Sequence, residues 1–97
     1  MDRQSVIRPL KAHEAELRAH GANALYLFGS TARDSAGPDS DVDLFLDYGD
    51  PRFSLIDQIK LESYLSALLG TRVDLTTRGG LHPLLRSDIE ASAFRVF

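Results

Sequence analysis

The chain has 97 residues, of which 43% are apolar and 26% charged, no cysteine, and a formal net charge of −3. These values predict one ordinary globular domain over residues 1–97 and exclude disulfides and thiolate metal sites. Broad nucleic-acid binding needs clustered cations, whereas the Lys and Arg residues here are scattered. No apolar run approaches the ~18 residues that cross a bilayer, and the first residues are too polar for a signal peptide, so we expect no membrane association and a cytoplasmic protein.

Helical and strand-like periods alternate along the sequence, with Gly and Pro between them. The predicted elements in chain order are a helix over 4–20, a strand over 24–28, a short helix over 31–34, a strand over 41–46 or 41–47, a helix over 55–69, a strand over 72–77 and a helix over about 81–94. This order favours an α/β chain of the α+β two-layer type. We expect a small mixed β-sheet with helices packed on one face and acidic residues exposed on the other.

Two of these helices carry apolar residues at helical spacing. In the helix over 55–69 they are interpreted as core, with a groove for a partner as the alternative. In the helix over 55–69 these residues are Leu55, Ile56, Ile59, Leu61, Leu65, Leu68 and Leu69. In the last helix they are Leu84, Leu85, Ile89 and Ala93. At the end of the chain, Phe94 and Phe97 are interpreted either as core residues or as part of a contact between copies in a homo-oligomer.

Two aspartates alternate with apolar residues on the predicted second strand. Successive strand side chains point to opposite faces, so Asp41 and Asp43 share a face, roughly 7 Å apart, with Val42 buried beneath them. Two bare carboxylates repel each other, and a divalent cation removes that penalty. Oxygen ligands without cysteine favour Mg²⁺ or Mn²⁺, and Mg²⁺ commonly adds substrate phosphates to its ligands. The pair therefore predicts a metal site, with two solvent-facing acids as the alternative.

A Gly-Ser turn precedes this strand, and a third acid follows on a later one. Gly29 lets the backbone approach a phosphate closely, and Ser30 offers a hydroxyl and an N–H group where a helix begins. If the strand bearing Asp74 neighbours the strand bearing Asp41, Asp74 joins the metal site and takes the proton from an attacking hydroxyl. Together these residues predict phosphoryl-type transfer. Taken singly, the turn is an ordinary capped turn and Asp74 a solvent-facing acid.

Three further polar residues flank the predicted site. Arg33 is a candidate for binding the nucleotide triphosphate or a partner protein, and surface pairing with Asp34 or Asp39 is the alternative. Ser40 is assigned to the nucleotide site because it can orient the neighbouring carboxylate, although it could simply begin the strand. Arg78 is interpreted as part of a loop before the last helix rather than as a nucleotide ligand.

These residues carry a family resemblance. The sequence Gly29-Ser30, followed after ten residues by Asp41-Val42-Asp43, resembles the signature of the DNA polymerase β nucleotidyltransferase superfamily. The lead-in Leu-Tyr-Leu-Phe-Gly-Ser-Thr-Ala-Arg and the strand around Asp74 are similar to its minimal nucleotidyltransferase branch, over about 10–97. The resemblance implies Mg²⁺ at Asp41 and Asp43, Asp74 as a further ligand and base, and Gly29 with Ser30 on the phosphates of an NTP.

The resemblance also implies an activity and a partner. Members of this branch are often encoded beside a HEPN-domain protein, and some act as antitoxins that transfer AMP from ATP to a tyrosine of that ribonuclease toxin. We therefore expect a Mg²⁺-dependent nucleotidyltransferase that uses ATP and has a HEPN partner. The rival class is a non-catalytic antitoxin with a vestigial nucleotide site. A third hypothesis, modification of a small molecule or a nucleic acid, is less favoured because so short a chain can hardly enclose a small molecule.

Overall fold

A four-stranded mixed sheet organises the chain in the computed structural model, which describes residues 2–32 and 41–97. The strands are β1 (Ala24–Phe28), β2 (Val42–Asp47), β3 (Val73–Thr77) and β4 (Phe94–Arg95), and their order across the sheet is β3-β2-β1-β4. β1 pairs antiparallel with β2 and with β4, whereas β2 pairs parallel with β3. The predicted small mixed sheet is confirmed.

Five helices lie in the described ranges: α1 (Arg3–Ala12), α2 (Glu14–Ala19), α3 (Gly29–Ala32), α4 (Leu55–Leu69) and α5 (Arg86–Ser92), with a 3₁₀ turn over Arg78–Gly80. The single helix predicted over 4–20 was wrong, because His13 divides it. The His13 backbone leaves helical geometry (φ −108°, ψ 21°), and its Nδ1 lies 2.9 Å from the Pro9 carbonyl oxygen. None of the described helices is both long enough and apolar enough to span a membrane.

The core lies between one face of the sheet and helices α1, α2 and α4. Alternation along β2 determines which of its side chains enter the core. Val42, Leu44 and Leu46 are buried in the core cluster, so the residues between them point to the opposite face. We call that opposite face the open face. Strand alternation and register place on it Tyr26, Phe28, Asp43, Phe45, Asp47, Asp74 and Thr76. The helices cover one side of the sheet, and the predicted acids of β2 and β3 lie on the other.

Part of the apolar side predicted as core in the helix over 55–69 is instead exposed, and so are two leucines assigned to the last helix. At the start of α4, Leu55, Ile56 and Ile59 are 68%, 65% and 55% exposed, and only the later part of that helix is buried. The last helix begins at residue 86 rather than near 81 and has no buried residue, while Leu84 and Leu85 precede it in exposed turns. The core prediction failed here because helical spacing identifies an apolar stripe without showing which part of it meets a neighbour.

The two-residue strand β4 was not predicted. It is extended by a hydrogen bond from the Val96 N–H to the Leu25 carbonyl (2.8 Å) and one from the Leu25 N–H to the Phe97 carbonyl (3.2 Å). Phe94 and Phe97 are partly buried and pack against the core cluster. Of the two interpretations for these phenylalanines, core packing is confirmed.

Polar side chains of α4 close the outer edge of β3. Gln58, Glu62 and Ser66 are spaced four residues apart and so lie on one helix face. Gln58 Nε2 donates to the Leu75 carbonyl (3.0 Å), Glu62 accepts from the Leu75 N–H (2.9 Å), and Ser66 Oγ accepts from the Val73 N–H (3.2 Å). An edge strand otherwise presents unpaired backbone groups to other chains. This row of side chains therefore satisfies the edge and fixes α4 against β3.

Replacing the acceptor at the centre of this row should destabilise the fold. Glu62→Ala leaves the Leu75 N–H without its side-chain partner, and we expect the free energy of unfolding to fall by about 1 kcal/mol in urea titrations. Glu62→Gln keeps an acceptor oxygen and should stay close to the wild type. The exposed Ser63→Ala on the same helix is the matched control. Equal losses in the Gln and Ala variants would contradict the assigned hydrogen bond.

Candidate active site

Two of the predicted acids occupy paired positions on the open face. Asp43 of β2 lies opposite Asp74 of β3 in the parallel register, which puts their α-carbons about 4.8 Å apart. On its other side Asp43 lies opposite Phe28, the last residue of β1. The prediction that the strands bearing the acids are neighbours is confirmed.

The Gly-Ser turn follows β1 directly and meets the same carboxylate. Gly29 has φ +76°, a backbone conformation that favours glycine. A Cβ at Gly29 would overlap Asp43 Oδ2 and lie 3.3 Å from its Cγ. The Asp43 carboxylate thus packs against the bare α-carbon of Gly29, and Ser30 follows half-buried in α3. Glycine is required here both for its φ angle and for the missing side chain.

Asp41 occupies a more open position just before β2. Its Oδ2 lies 3.9 Å from Arg72 Nε, and the two side chains are 45% and 83% exposed. An ion pair of this length and exposure contributes little to stability. The Val42 N–H donates to the Arg72 carbonyl (3.0 Å), which extends the pairing of β2 and β3 to the acidic end of the strands.

The predicted metal ligands are not gathered into one cluster. Within 2–32 and 41–97, no group of three or more His, Cys, Asp or Glu is arranged to hold a metal ion. Asp41, Asp43 and Asp74 nevertheless offer only carboxylate oxygens, the donors that Mg²⁺ prefers, and two of them are paired across strands. In donor chemistry the set fits a hard divalent cation. The other predicted nucleotide-site residues, Arg33 and Ser40, lie outside the described residues.

The open face next to the acids is built from aromatic rings under a guanidinium group. Tyr26 and Phe45 are cross-strand partners whose rings stack at 4.6 Å with 10° between their planes. Arg78 lies over both, with its Cζ 4.9 Å from the Tyr26 ring centre and 5.1 Å from that of Phe45. Phe28, beside Asp43, contacts the Phe45 ring at 5.7 Å. An aromatic row capped by arginine therefore borders the acidic row.

Two acids hold Arg78 in place. Asp47 accepts from Arg78 Nε (2.8 Å) and from a terminal nitrogen (3.0 Å), and Glu90 of α5 accepts from the other terminal nitrogen at 2.5 Å. The bonds to Asp47 are the main cause that raises the pKa of Arg78 above its ordinary value. The sequence predicts Arg78 as a loop residue, and no local pattern marks its ion pairs, because Asp47 and Glu90 are 31 and 12 positions away.

Paired carboxylates beside a glycine turn, on a sheet covered by helices on its other face, fit a site for metal-assisted phosphoryl transfer. The family model "Nucleotidyltransferase domain" matches residues 10–95. The chain belongs to this nucleotidyltransferase family, and its catalytic class is that of a nucleotidyltransferase.

Relatives of known name agree with this assignment. The protein adenylyltransferase MntA of Thermococcus cleftensis is 47% identical over 73 residues, covering 74% of this chain and 73% of the relative. A candidate protein adenylyltransferase of Methanocaldococcus jannaschii is 40% identical over 83 residues, covering 84% of each chain.

Solved structures share the fold. One of a candidate minimal nucleotidyltransferase has a TM-score of 0.83 and 36% identity, covering 97% of this chain and 95% of that chain. The complex of a tri-AMPylated Shewanella oneidensis HEPN toxin with an MNT antitoxin has a TM-score of 0.65 and 20% identity, covering 90% of this chain and 68% of that chain. At that lower identity the likeness shows the fold alone.

A side chain at Gly29 should damage the site as well as the fold. Gly29→Ala forces a Cβ into the Asp43 carboxylate, so we expect nucleotidyl transfer to fall at least about 100-fold. The strained φ adds a loss of about 1–3 kcal/mol in unfolding free energy. Both are measurable by ATP-dependent label transfer and urea titration.

Gly70→Ala is the matched control for this substitution. Gly70 has a similar φ of +66° at the end of α4, and a Cβ there meets nothing within 4 Å. It should lose about 1 kcal/mol of stability and keep its transfer rate. Equal effects of the two substitutions on transfer would contradict the close approach of Asp43 to Gly29.

The ion pair between Glu90 and Arg78 predicts a pH dependence of stability. The hydrogen bond from Arg78 is the largest cause that holds the pKa of Glu90 below its ordinary value of 4.5. A carboxylate whose folded pKa is lowered stabilises the fold above its unfolded pKa, and that stability is lost as pH falls through the folded pKa. Glu90→Gln should therefore show a shallower loss of unfolding free energy than wild type below pH 4.5.

Urea titrations between about pH 7 and pH 3 measure this difference. Asp88→Asn changes an exposed acid of the same helix and is the matched control. If the free energy of unfolding of Glu90→Gln fell with decreasing pH as steeply as that of the wild type, the pair with Arg78 would contribute nothing to folding.

Proposed function

We propose that the chain transfers a nucleoside monophosphate, AMP from ATP, to a hydroxyl group of a partner protein. The observation that carries the proposal is the contact between Gly29 and the Asp43 carboxylate, with Asp74 paired to Asp43 across the strands. It brings the Gly-Ser turn and two acids to one end of the sheet. The names of the adenylyltransferase relatives support AMP as the transferred group and protein as the acceptor.

The turn and its flanking residues bind the nucleotide in this proposal. Gly29 allows the triphosphate to approach the backbone, and Ser30 supplies a hydroxyl and an N–H group to the phosphate oxygens. Arg33 is proposed to neutralise phosphate charge, and Ser40 to orient the neighbouring Asp41 carboxylate. Arg78 is not assigned to the phosphates, because Asp47 and Glu90 already pair with its charge.

The acids carry the chemistry. Asp41, Asp43 and Asp74 would hold Mg²⁺, which when bound neutralises triphosphate charge and favours departure of pyrophosphate. Asp74 accepts the proton of the attacking hydroxyl, whose oxygen forms a bond to the α-phosphorus while the bond to pyrophosphate breaks. Asp43 is fixed by Gly29 on one side and by its place in the ladder on the other, so its carboxylate needs little rearrangement.

The proposed acceptor is a tyrosine of a HEPN-domain toxin, which makes the chain an antitoxin. Two findings support it: the MntA relative is a protein adenylyltransferase, and the fold is that of the antitoxin bound to an AMPylated HEPN toxin. Asp74 is exposed on the open face, which allows a side chain of a macromolecular acceptor to reach it.

Label transfer tests the proposal. Wild type incubated with α-labelled ATP, Mg²⁺ and a HEPN-domain protein encoded beside it should label that protein at tyrosine and abolish its ribonuclease activity. Asp43→Asn and Asp74→Asn should each lower transfer at least about 100-fold, because each removes a carboxylate that binds the cation or accepts the proton. Asp88→Asn, an exposed acid of α5, should transfer at the wild-type rate.

The rival class gives a different pattern in the same assay. A non-catalytic antitoxin would neutralise the toxin without label transfer, and the double variant Asp41→Ala plus Asp43→Ala would still neutralise it. Label on a small molecule or nucleic acid, and never on protein, would favour the third hypothesis.

A further inference from the structure

We propose that Arg72 competes with the divalent cation for the Asp41 carboxylate, so that the cation binds well only together with the triphosphate of the nucleotide. The inference rests on the proposed function and adds to it a residue that couples the metal to the nucleotide. The sequence pattern places Arg72 at the start of the strand predicted over 72–77 and gives it no role.

Strand pairing brings Arg72 to the acidic end of the sheet. Asp41 and Arg72 directly precede Val42 and Val73, the first register pair of β2 and β3. The Val42 N–H donates to the Arg72 carbonyl (3.0 Å), which holds the two backbones together at this point. Arg72 Nε lies 3.9 Å from Asp41 Oδ2. Because strand side chains alternate, Arg72 also shares a face with Asp74, which follows it by two residues.

The ion pair is loose, yet its charge acts on anything that binds to the same carboxylate. The side chains of Asp41 and Arg72 are 45% and 83% exposed, and a pair of this exposure adds little to stability. Arg72 can therefore leave Asp41 at little cost. Two positive groups that share one carboxylate lie a few ångströms apart, and at that separation we expect the guanidinium to weaken binding of a divalent cation by roughly 3- to 10-fold.

The sign of this effect reverses for the complex of the cation with its nucleotide. Mg²⁺ bound to a nucleoside triphosphate carries a net negative charge, so an exposed guanidinium attracts the complex, and arginine also donates to phosphate oxygens through its planar fork. Among the described residues no three His, Cys, Asp or Glu are grouped to hold a metal ion, so phosphate oxygens would complete the ligands of Mg²⁺. Arg72 thus opposes the bare cation and favours the cation that is bound to a nucleotide.

Binding measurements on the full chain test both signs. Electron paramagnetic resonance of free Mn²⁺ gives the affinity for the bare cation, and calorimetry with α,β-methylene-ATP in excess Mg²⁺ gives the affinity for the complex. Arg72→Gln should bind Mn²⁺ roughly 3- to 10-fold more tightly than the wild type and the Mg²⁺ complex roughly 2- to 5-fold more weakly. A merely structural role of Arg72 would weaken both affinities in the variant.

Two further variants isolate the charge. Arg72→Lys keeps the positive charge and should bind Mn²⁺ like the wild type. Arg52→Gln removes an equally charged, 90% exposed arginine that pairs with Asp50, beyond the other end of β2, and should change neither affinity. The tighter Mn²⁺ binding of Arg72→Gln should diminish as salt is raised from about 0.05 M to about 0.5 M, because ions screen exposed charges. Since the Arg72 side chain is largely exposed, we expect its variants to fold as the wild type does.

The outcomes separate this inference from the proposed function. An affinity for Mn²⁺ that is unchanged or lower in Arg72→Gln, an affinity for the Mg²⁺ complex that does not fall, or an equal gain in Arg52→Gln would overturn the competition. AMP transfer to the HEPN protein without these shifts would leave the proposed function standing. Opposite shifts of the two affinities in a chain that transfers no AMP would refute the proposed function alone.

Discussion

The close approach of the Asp43 carboxylate to the α-carbon of Gly29 is the constraint on which the candidate site depends. The antiparallel register of β1 and β2 brings Asp43 opposite Phe28, so the residue after β1 must pass directly beside the acid. Only a residue without a Cβ can do so while turning with a φ of +76°. The Gly-Ser turn and the acid are therefore coupled by the sheet itself. The parallel register of β2 and β3 places Asp74 beside the Asp43 carboxylate.

Burial divides the open face into two chemically different rows. Around Asp43 and Asp74 the face stays polar and accessible, since Asp74 is exposed and Asp43 half-buried. Two residues further along β2, Phe45 is fully buried although it points away from the helices. Tyr26 and Arg78 cover the Phe45 ring, and the ion pair between Arg78 and Glu90 connects Arg78 to α5. The short last helix, which buries no residue of its own, thus acts through one ion pair to complete this part of the face.

Local sequence patterns predict most of the sheet and the meeting of turn and acids, because strand alternation and a glycine turn act over a few residues. The structure departs from the prediction where contacts between residues far apart in the sequence determine the position of a strand or side chain. β4 has only two residues and therefore no periodicity of its own, and its place depends on pairing with β1. The apolar residues Leu55 and Ile59 have helical spacing like that of buried residues, yet no described neighbour covers them. The role of Arg78 depends on partners that no short motif contains.

The closed edge of β3 limits how the proposed acceptor can reach Asp74. β3 is the outermost strand on its side of the sheet, and an extended segment could in principle pair along it. The outward backbone groups of Val73 and Leu75 are already bonded to side chains of α4. Strand addition there would have to break those three hydrogen bonds, on both sides of Asp74. In the proposed reaction, an acceptor that leaves α4 in place approaches Asp74 over the open face, on which that side chain is exposed.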